Sequence, residues 1–300
     1  MRVYVPNIPM NAGHWIFKGY ANAWNKLSYD VVTYEKPEDI ESSGEYMIMT
    51  NDTYLGEDER YLSLIEKSKK TFVQAQPNTF PLPWGKHPNF VSLASDDMIE
   101  SLNKMENIYL WSFADGNTFN YKWKEIYTVP LAYDSISYIP IKDKTVEYDV
   151  CYIGGWANNG FNEKKRILIE NFMQFKKSAL NCGFFIDRNL SHQQETAILY
   201  NSKVCINIHD AYQRALGLDT NERTFKSLGL NGIMISDKVE QLGRMFPNVK
   251  TSNDPAELVK MAKEIISLSE KEILNIKTKN RQMILENHTY IKRVEQLLSL

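Results

Sequence analysis

The chain has 300 residues, 43% of them hydrophobic, which is length for about two domains and too apolar a composition for a disordered chain. Its 35 basic and 37 acidic residues leave a net charge of −2, so no global positive field argues for a nucleic-acid binder. Three cysteines without CxxC spacing argue against a disulfide framework or a zinc site. The N-terminus, MRVYVPNIPM, is no signal peptide, and no stretch approaches the about 18 uninterrupted apolar residues of a membrane helix. A cytoplasmic protein is the expectation.

From the N-terminus, short apolar runs predict strands at 2–5, 31–34, 46–50, 71–76, 108–111 and 126–129. Between the first two runs, NAGHWIFKGYANAWNKL reads as a helix, with Gly13 and His14 just after the first strand. Asp52 follows the third strand. The stretch QAQPNTFPLPWGKHPNF, rich in Pro and aromatics, reads as a packed irregular loop. Strands alternating with helices predict βαβ units and a parallel sheet.

The polar segment 135–147 contains Pro140 and reads as a linker between domains at 1–134 and 148–284. Beyond it a second series begins. YDVCYIGG is a strand ending in Gly154 and Gly155, and NEKKRILIENFMQFKKSA is an amphipathic helix. SHQQETAILYNS opens with Ser191 and carries Gln194 three residues on, a capping-box pattern. KVCINIHD is a strand running to His209. Asp254 and Pro255 open another helix, and the remainder reads helical to the end, with a terminal helix at 285–300.

Two stretches carry candidate chemistry. In CYIGGWANNGFNEKKR a strand runs into glycines and then a helix, where the backbone can approach a ligand and free N–H groups can meet a phosphate. In NERTFKSLGLNGIMISD, Arg223 and Lys226 enter at a helix start, where cations oppose the dipole and an anionic ligand would relieve the cost. The guanidinium fork of an Arg matches phosphate oxygens. No GxGxxG followed by an acidic residue is present, so a dinucleotide-binding dehydrogenase is not supported.

NERTFKSLGLNGIMISD resembles the donor-site motif of GT-B glycosyltransferases of the family-1 type, nearest the CgeB-like, or spore maturation protein-like, branch. VPLAYDSISYIPI, YDVCYIGGW, LYNSKVCINIHD and RQMILENHTYIKRVEQLL follow the same pattern in order, over about the last 170 residues. The resemblance implies an α/β chain of two Rossmann-like domains facing across a cleft, with the C-terminal helix crossing back to the N-terminal domain. It implies transfer of a sugar from a nucleoside-diphosphate sugar to an acceptor hydroxyl without a metal. A UDP-sugar is placed ahead of a GDP-sugar, and the acceptor would be a glycan, protein, lipid or small molecule, with nucleic acid less favoured. Gly154, Gly155, Trp156, His209, Arg223, Thr224, Phe225, Lys226, Asn231 and Gly232 would form the donor site. Gly13 and His14 would lie on the acceptor side, with His14, Arg223 and Asp52 as catalytic candidates. Lys226 departs from the pattern, which carries a Glu there for the donor ribose. Two alternatives stay open: a glucosyltransferase acting on hydroxymethyl-pyrimidine bases of DNA, and a catalytically impaired nucleotide-sugar-binding or assembly module.

Overall fold

The computed structural model describes residues 1–8, 11–75, 95–115, 123–156 and 163–300. Most of the Pro- and aromatic-rich loop, 76–94, lies outside them. The chain forms two compact units: residues 1–130 together with 290–300, and residues 131–289.

The first unit is built on six parallel strands in the order β2-β1-β3-β4-β5-β6. They are β1 (Arg2–Pro6), β2 (Asp30–Tyr34), β3 (Tyr46–Asn51), β4 (Lys70–Gln74), β5 (Ile108–Ser112) and β6 (Tyr127–Thr128). Helices α1 (Asn11–Lys26), α2 (Asp52–Glu57), α3 (Arg60–Lys67) and α4 (Asp96–Asn103) lie between strands. Strand β3 is buried along its whole length, which is why it reads as an apolar run and not as an alternation.

The second unit repeats the plan with five parallel strands in the order β11-β10-β9-β7-β8. These are β7 (Val150–Gly154), β8 (Cys182–Ile186), β9 (Val204–Asn207), β10 (Met234–Ser236) and β11 (Lys250–Thr251). Its helices are α5 (Glu163–Lys177), α6 (His192–Asn201), α7 (Ala211–Leu216), α8 (Glu222–Leu230), α9 (Glu240–Met245), α10 (Pro255–Ile266) and α11 (Glu270–Asn287). The capping box of α6 is present, with Ser191 accepting from the Gln194 N–H and Gln194 returning a bond to the Ser191 N–H. Asp254 caps α10 by accepting from the Ala256 N–H, with Pro255 at the first helical position. The core packs Val150, Tyr152, Val204, Ile206 and Ile235 of the sheet against Leu168 and Phe175 of α5 and Leu258 of α10. Each such side chain contributes about 1.5–3 kcal/mol when fully buried. Cys151 and Cys205 are buried free thiols on adjacent strands, Sγ to Sγ 3.6 Å.

The final helix, α12 (Tyr290–Leu298), belongs to the first unit. The helical run is broken before it: Thr289 pairs with Tyr133, and the Tyr133 N–H donates to the His288 carbonyl at 2.8 Å. Tyr290 lies flat against Gly19 of α1, where an added Cβ would sit 2.4 Å from the Tyr290 ring. The rings of Tyr20 and Tyr290 pack at 4.9 Å, and Arg293 Nε donates to the Pro130 carbonyl at 2.7 Å.

Both sheets have a point at which the strand order reverses, between β1 and β3 in one unit and between β7 and β9 in the other. Crevices of open parallel sheets form there, at the carboxyl ends of the strands. Gly154 is the last residue of β7 and Asn207 the last of β9.

Candidate functional site

Arg223 occupies the reversal point of the second sheet. It lies in the first turn of α8, whose N-cap, Asn221, accepts from the Thr224 N–H. The helix starts earlier than an apolar stripe from Phe225 would set it, so Arg223 is within the helix. Its Nη1 donates to Asn207 Oδ1 at 2.9 Å and to the Ile208 carbonyl at 3.1 Å. The guanidinium lies 5.0 Å from the centre of the Tyr152 ring. Gly154 is a further neighbour: a Cβ there would fall 2.5 Å from Nη2. The glycine at the end of β7 therefore seats the arginine. Among the described residues Arg223 forms no ion pair with a carboxylate, although it is half-buried. Among the described residues its hydrogen bonds go to neutral groups, while the Glu222 carboxyl interacts with it at longer range.

The groups behind Arg223 are saturated. Asn207 Nδ2 donates to Asn221 Oδ1 at 3.0 Å and to Thr224 Oγ1 at 2.9 Å. Thr224 and Thr220 hydroxyls meet at 2.6 Å, and Thr220 Oγ1 lies 2.8 Å from His209 Nε2. His209 Nδ1 donates to Asp237 Oδ1 at 2.6 Å, and the His209 N–H donates to Asp237 Oδ2 at 3.0 Å. One run of donors satisfies the set: Asn207 to Thr224, Thr224 to Thr220, Thr220 to His209, His209 to Asp237. Burial alone would raise the Asp237 carboxyl, but His209 and Arg214 beside it outweigh burial and hold it below the ordinary aspartate value.

That network corrects the expectation for His209. The imidazole is fully buried and both ring nitrogens are bonded within the protein, so it braces the crevice and does not face a donor. Thr224 is likewise fully buried and serves the same network. Phe225 is a core residue, packed against Phe246 at 5.7 Å. The Asn231 amide donates to the Leu199 and Ser202 carbonyls, and its Oδ1 accepts from the Ile233 N–H. Gly232 has φ +86, and a Cβ there would meet the Lys277 carbonyl at 2.4 Å, so a turn and a close helix approach explain it. Trp156 lines an apolar pocket of about 280 Å³ with Phe172 of α5 and Phe184 of β8. The Gly155 carbonyl accepts from the Tyr152 hydroxyl at 3.4 Å.

Lys226 also differs from expectation. Its ammonium, placed near a helix start, is met by carboxylates of the protein: Glu195 at 3.0 Å and Glu222 at 3.6 Å, with the Tyr138 ring 4.5 Å away. Burial works against this ammonium, yet Glu222 and Glu195 outweigh it and raise the Lys226 pKa. Burial pushes the Glu222 carboxyl up, partly countered by Lys226. An anionic ligand is not needed to explain Lys226.

In the first unit, Gly13 gives its Cβ space to Ile8, whose Cγ2 would lie 3.0 Å away. His14 Nδ1 donates to the Ile8 carbonyl at 3.1 Å, which leaves Nε2 as the acceptor nitrogen of the neutral ring. Asp52 is 1% exposed in the first turn of α2, where an acid favours the helix dipole. That gives Asp52 a structural reason and removes it from the bases a substrate could reach. His14 and Asp52 follow β1 and β3, the strands that flank the reversal of this sheet.

Sequence reasoning missed Asn207, Tyr152, Asp237 and Glu195, and with them Lys164, whose buried ammonium lies 2.6 Å from Asp210 Oδ1. A signal existed for Asn207: it is the one polar side chain inside the apolar run VCINI. Among the described residues no cluster of three or more His, Cys, Asp or Glu could hold a metal, and no helix is long and apolar enough to cross a membrane.

Residues 165–299 match the family described as glycosyl transferase-like. The structure of T4 phage BGT in complex with UDP and Mn2+ superposes with a TM-score of 0.52 at 12% identity, covering 100% of each chain. An E. coli trehalose-6-phosphate structure bound with UDP-2-fluoro glucose gives 0.55 at 10% identity, covering 97% of this chain and 79% of that one. An alpha-glucosyltransferase in complex with UDP-glucose and DNA containing an abasic site gives 0.51 at 10% identity, covering 96% and 95%. No curated protein matches the chain by sequence. The C-terminal part thus carries the sequence signature of a glycosyltransferase, and the two parallel sheets carry the GT-B fold.

Proposed function

We propose that this chain transfers a sugar from a nucleoside-diphosphate sugar to an acceptor hydroxyl, and that it falls in the CgeB-like branch of its fold class. The carrying observation is Arg223, a half-buried guanidinium at the sheet reversal whose hydrogen bonds, among the described residues, go to neutral groups. A half-buried guanidinium to which no carboxylate is bonded gains from an arriving anion. A diphosphate supplies that anion, and its oxygens suit the guanidinium fork.

As the anomeric carbon–oxygen bond breaks, negative charge grows on the leaving diphosphate while the sugar gains oxocarbenium character. Arg223 and the positive end of the α8 dipole stabilise the leaving charge, so the counter-charges come from the chain and no metal is assigned. Removal of one preorganised donor of this kind typically costs about 3–4 kcal/mol of transition-state stabilisation. His14, with Nε2 available as acceptor, is the base assigned to the acceptor hydroxyl. UDP is the preferred nucleotide because three of the solved neighbours carry UDP or a UDP-sugar. The free thiols fit a reducing compartment.

Titration calorimetry with UDP and assay of UDP release from UDP-glucose test this reading. Arg223→Ala is expected to weaken UDP at least tenfold and to lower turnover by about two orders of magnitude. Unchanged affinity and turnover in that variant would refute the donor site. A second reading, a DNA-base glucosyltransferase, is favoured by the DNA in the alpha-glucosyltransferase structure. It predicts salt-dependent binding of duplex DNA.

A further inference from the structure

We propose that Asn207 is a positioning residue for Arg223: its amide fixes the direction of the guanidinium without consuming its charge. This rests on Arg223 being the diphosphate-binding group.

Asn207 ends β9 with no exposed surface, and its side-chain amide is fully committed. Oδ1 accepts from Arg223, while Nδ2 serves Asn221 and Thr224. Those two acceptors decide which way the amide faces. A flipped amide would turn its NH2 group toward the guanidinium, donor against donor, and its oxygen toward Asn221 Oδ1. Thr224 is in turn ordered through Thr220 by His209 and Asp237. The buried network thus aims one neutral oxygen at Arg223.

Neutrality is the decisive feature. Elsewhere around these strand ends the chain meets cations with carboxylates: Lys164 with Asp210, Arg214 with Asp237, Lys226 with Glu195 and Glu222. An aspartate at 207 would fit the same space and bond Arg223 more strongly, but it would cancel the charge that an incoming diphosphate needs. It would also set an acceptor against Asn221 Oδ1. An asparagine orients the fork and adds no negative charge of its own against the ligand.

The test is a double-mutant cycle on UDP affinity by calorimetry, with GDP in parallel, on Asn207→Ala, Arg223→Ala and the double variant, together with the near-isosteric Asn207→Asp. Thermal melts identify any variant that fails to fold; Asn207→Asp then carries the test, because it keeps the volume. Asn207→Ala is expected to weaken UDP about tenfold, the worth of a hydrogen bond to a charged group. Asn207→Asp is expected to weaken it at least as much while remaining folded. The double variant should be no weaker than Arg223→Ala alone. Additive losses, or wild-type affinity in both Asn207 variants while Arg223→Ala loses binding, would overturn the role of Asn207 alone. Wild-type affinity in Arg223→Ala, or no binding of either nucleotide by the unaltered chain, would overturn the donor site and this inference with it.

Discussion

The guanidinium of Arg223 occupies the space that a side chain at Gly154 would need, with Nη2 2.5 Å from the position of the missing Cβ. A glycine after a strand is commonly taken as room for a ligand. Here it is room for the residue that would hold the ligand. Gly154→Ala must push the guanidinium away, off Asn207 and the Tyr152 ring. The displaced atoms are the far end of a flexible side chain, so the backbone need not move and folding should be little affected. The expected outcome is a melting temperature within a few degrees of wild type and at least tenfold weaker UDP binding, since about 1.5–3 kcal/mol rides on a charge-assisted bond. Calorimetry beside a thermal melt reads both. A variant that binds UDP normally would show that the seat is not required.

Lys226 leads to a second expectation. Replacing it by Glu would restore the residue type usual for the resembled motif, yet the surroundings now oppose that. Glu195 and Glu222 would face a third carboxylate with their cation gone. Removing one partner of a buried ion pair costs about 3–5 kcal/mol, because charge is left without compensation. Lys226→Glu should lose stability of that order at neutral pH. The deficit should shrink on acidification, because Glu222 already holds its proton more tightly than an ordinary glutamate. Urea unfolding at pH 7 and pH 5 measures this. Equal stability of variant and wild type at pH 7 would show that the cluster contributes nothing.

The sheets and most helices were legible because their residues obey local rules. Fully buried strands such as β3 and β9 appear as apolar runs, and α6 announces its start through Ser191 and Gln194. That Gly154 ends a strand and Arg223 begins a helix was legible too, and the topology sets both at the reversal of the sheet. Roles inside the site were not. His209 and Thr224 look like ligand contacts in one dimension, and only the arrival of Asp237, just after β10, and Thr220 from the loop before α8 turns them into a brace. Lys226 looks like an unmet charge until Glu195 reaches it from a helix 31 positions away. Pairings of that kind depend on which strand ends the topology brings together, and no local pattern encodes them.

The buried brace has its own pH signature. Asp237 is held below the ordinary aspartate pKa in the folded chain, while in the unfolded chain it titrates near its usual value of about 4. A depressed folded pKa means that the unfolded state takes up the proton first as pH falls. Asp237 therefore contributes its full stability above about pH 4–5, and the contribution drains away as pH drops toward the folded value. Asp237→Asn removes the charge that opposes Arg214 and accepts from His209, so it should cost about 3–5 kcal/mol at pH 7. Toward about pH 3 the gap should narrow, by about 1 kcal/mol at most, because the unfolded chain takes up the proton first. Because the same chain of bonds ends on Asn207 and hence on Arg223, the variant should also bind UDP more weakly at neutral pH, where it remains folded. Chemical denaturation from pH 7 down to pH 3 checks the first expectation and calorimetry the second. A stability gap that stays constant across that range would show that the carboxylate charge of Asp237 is not what steadies the brace.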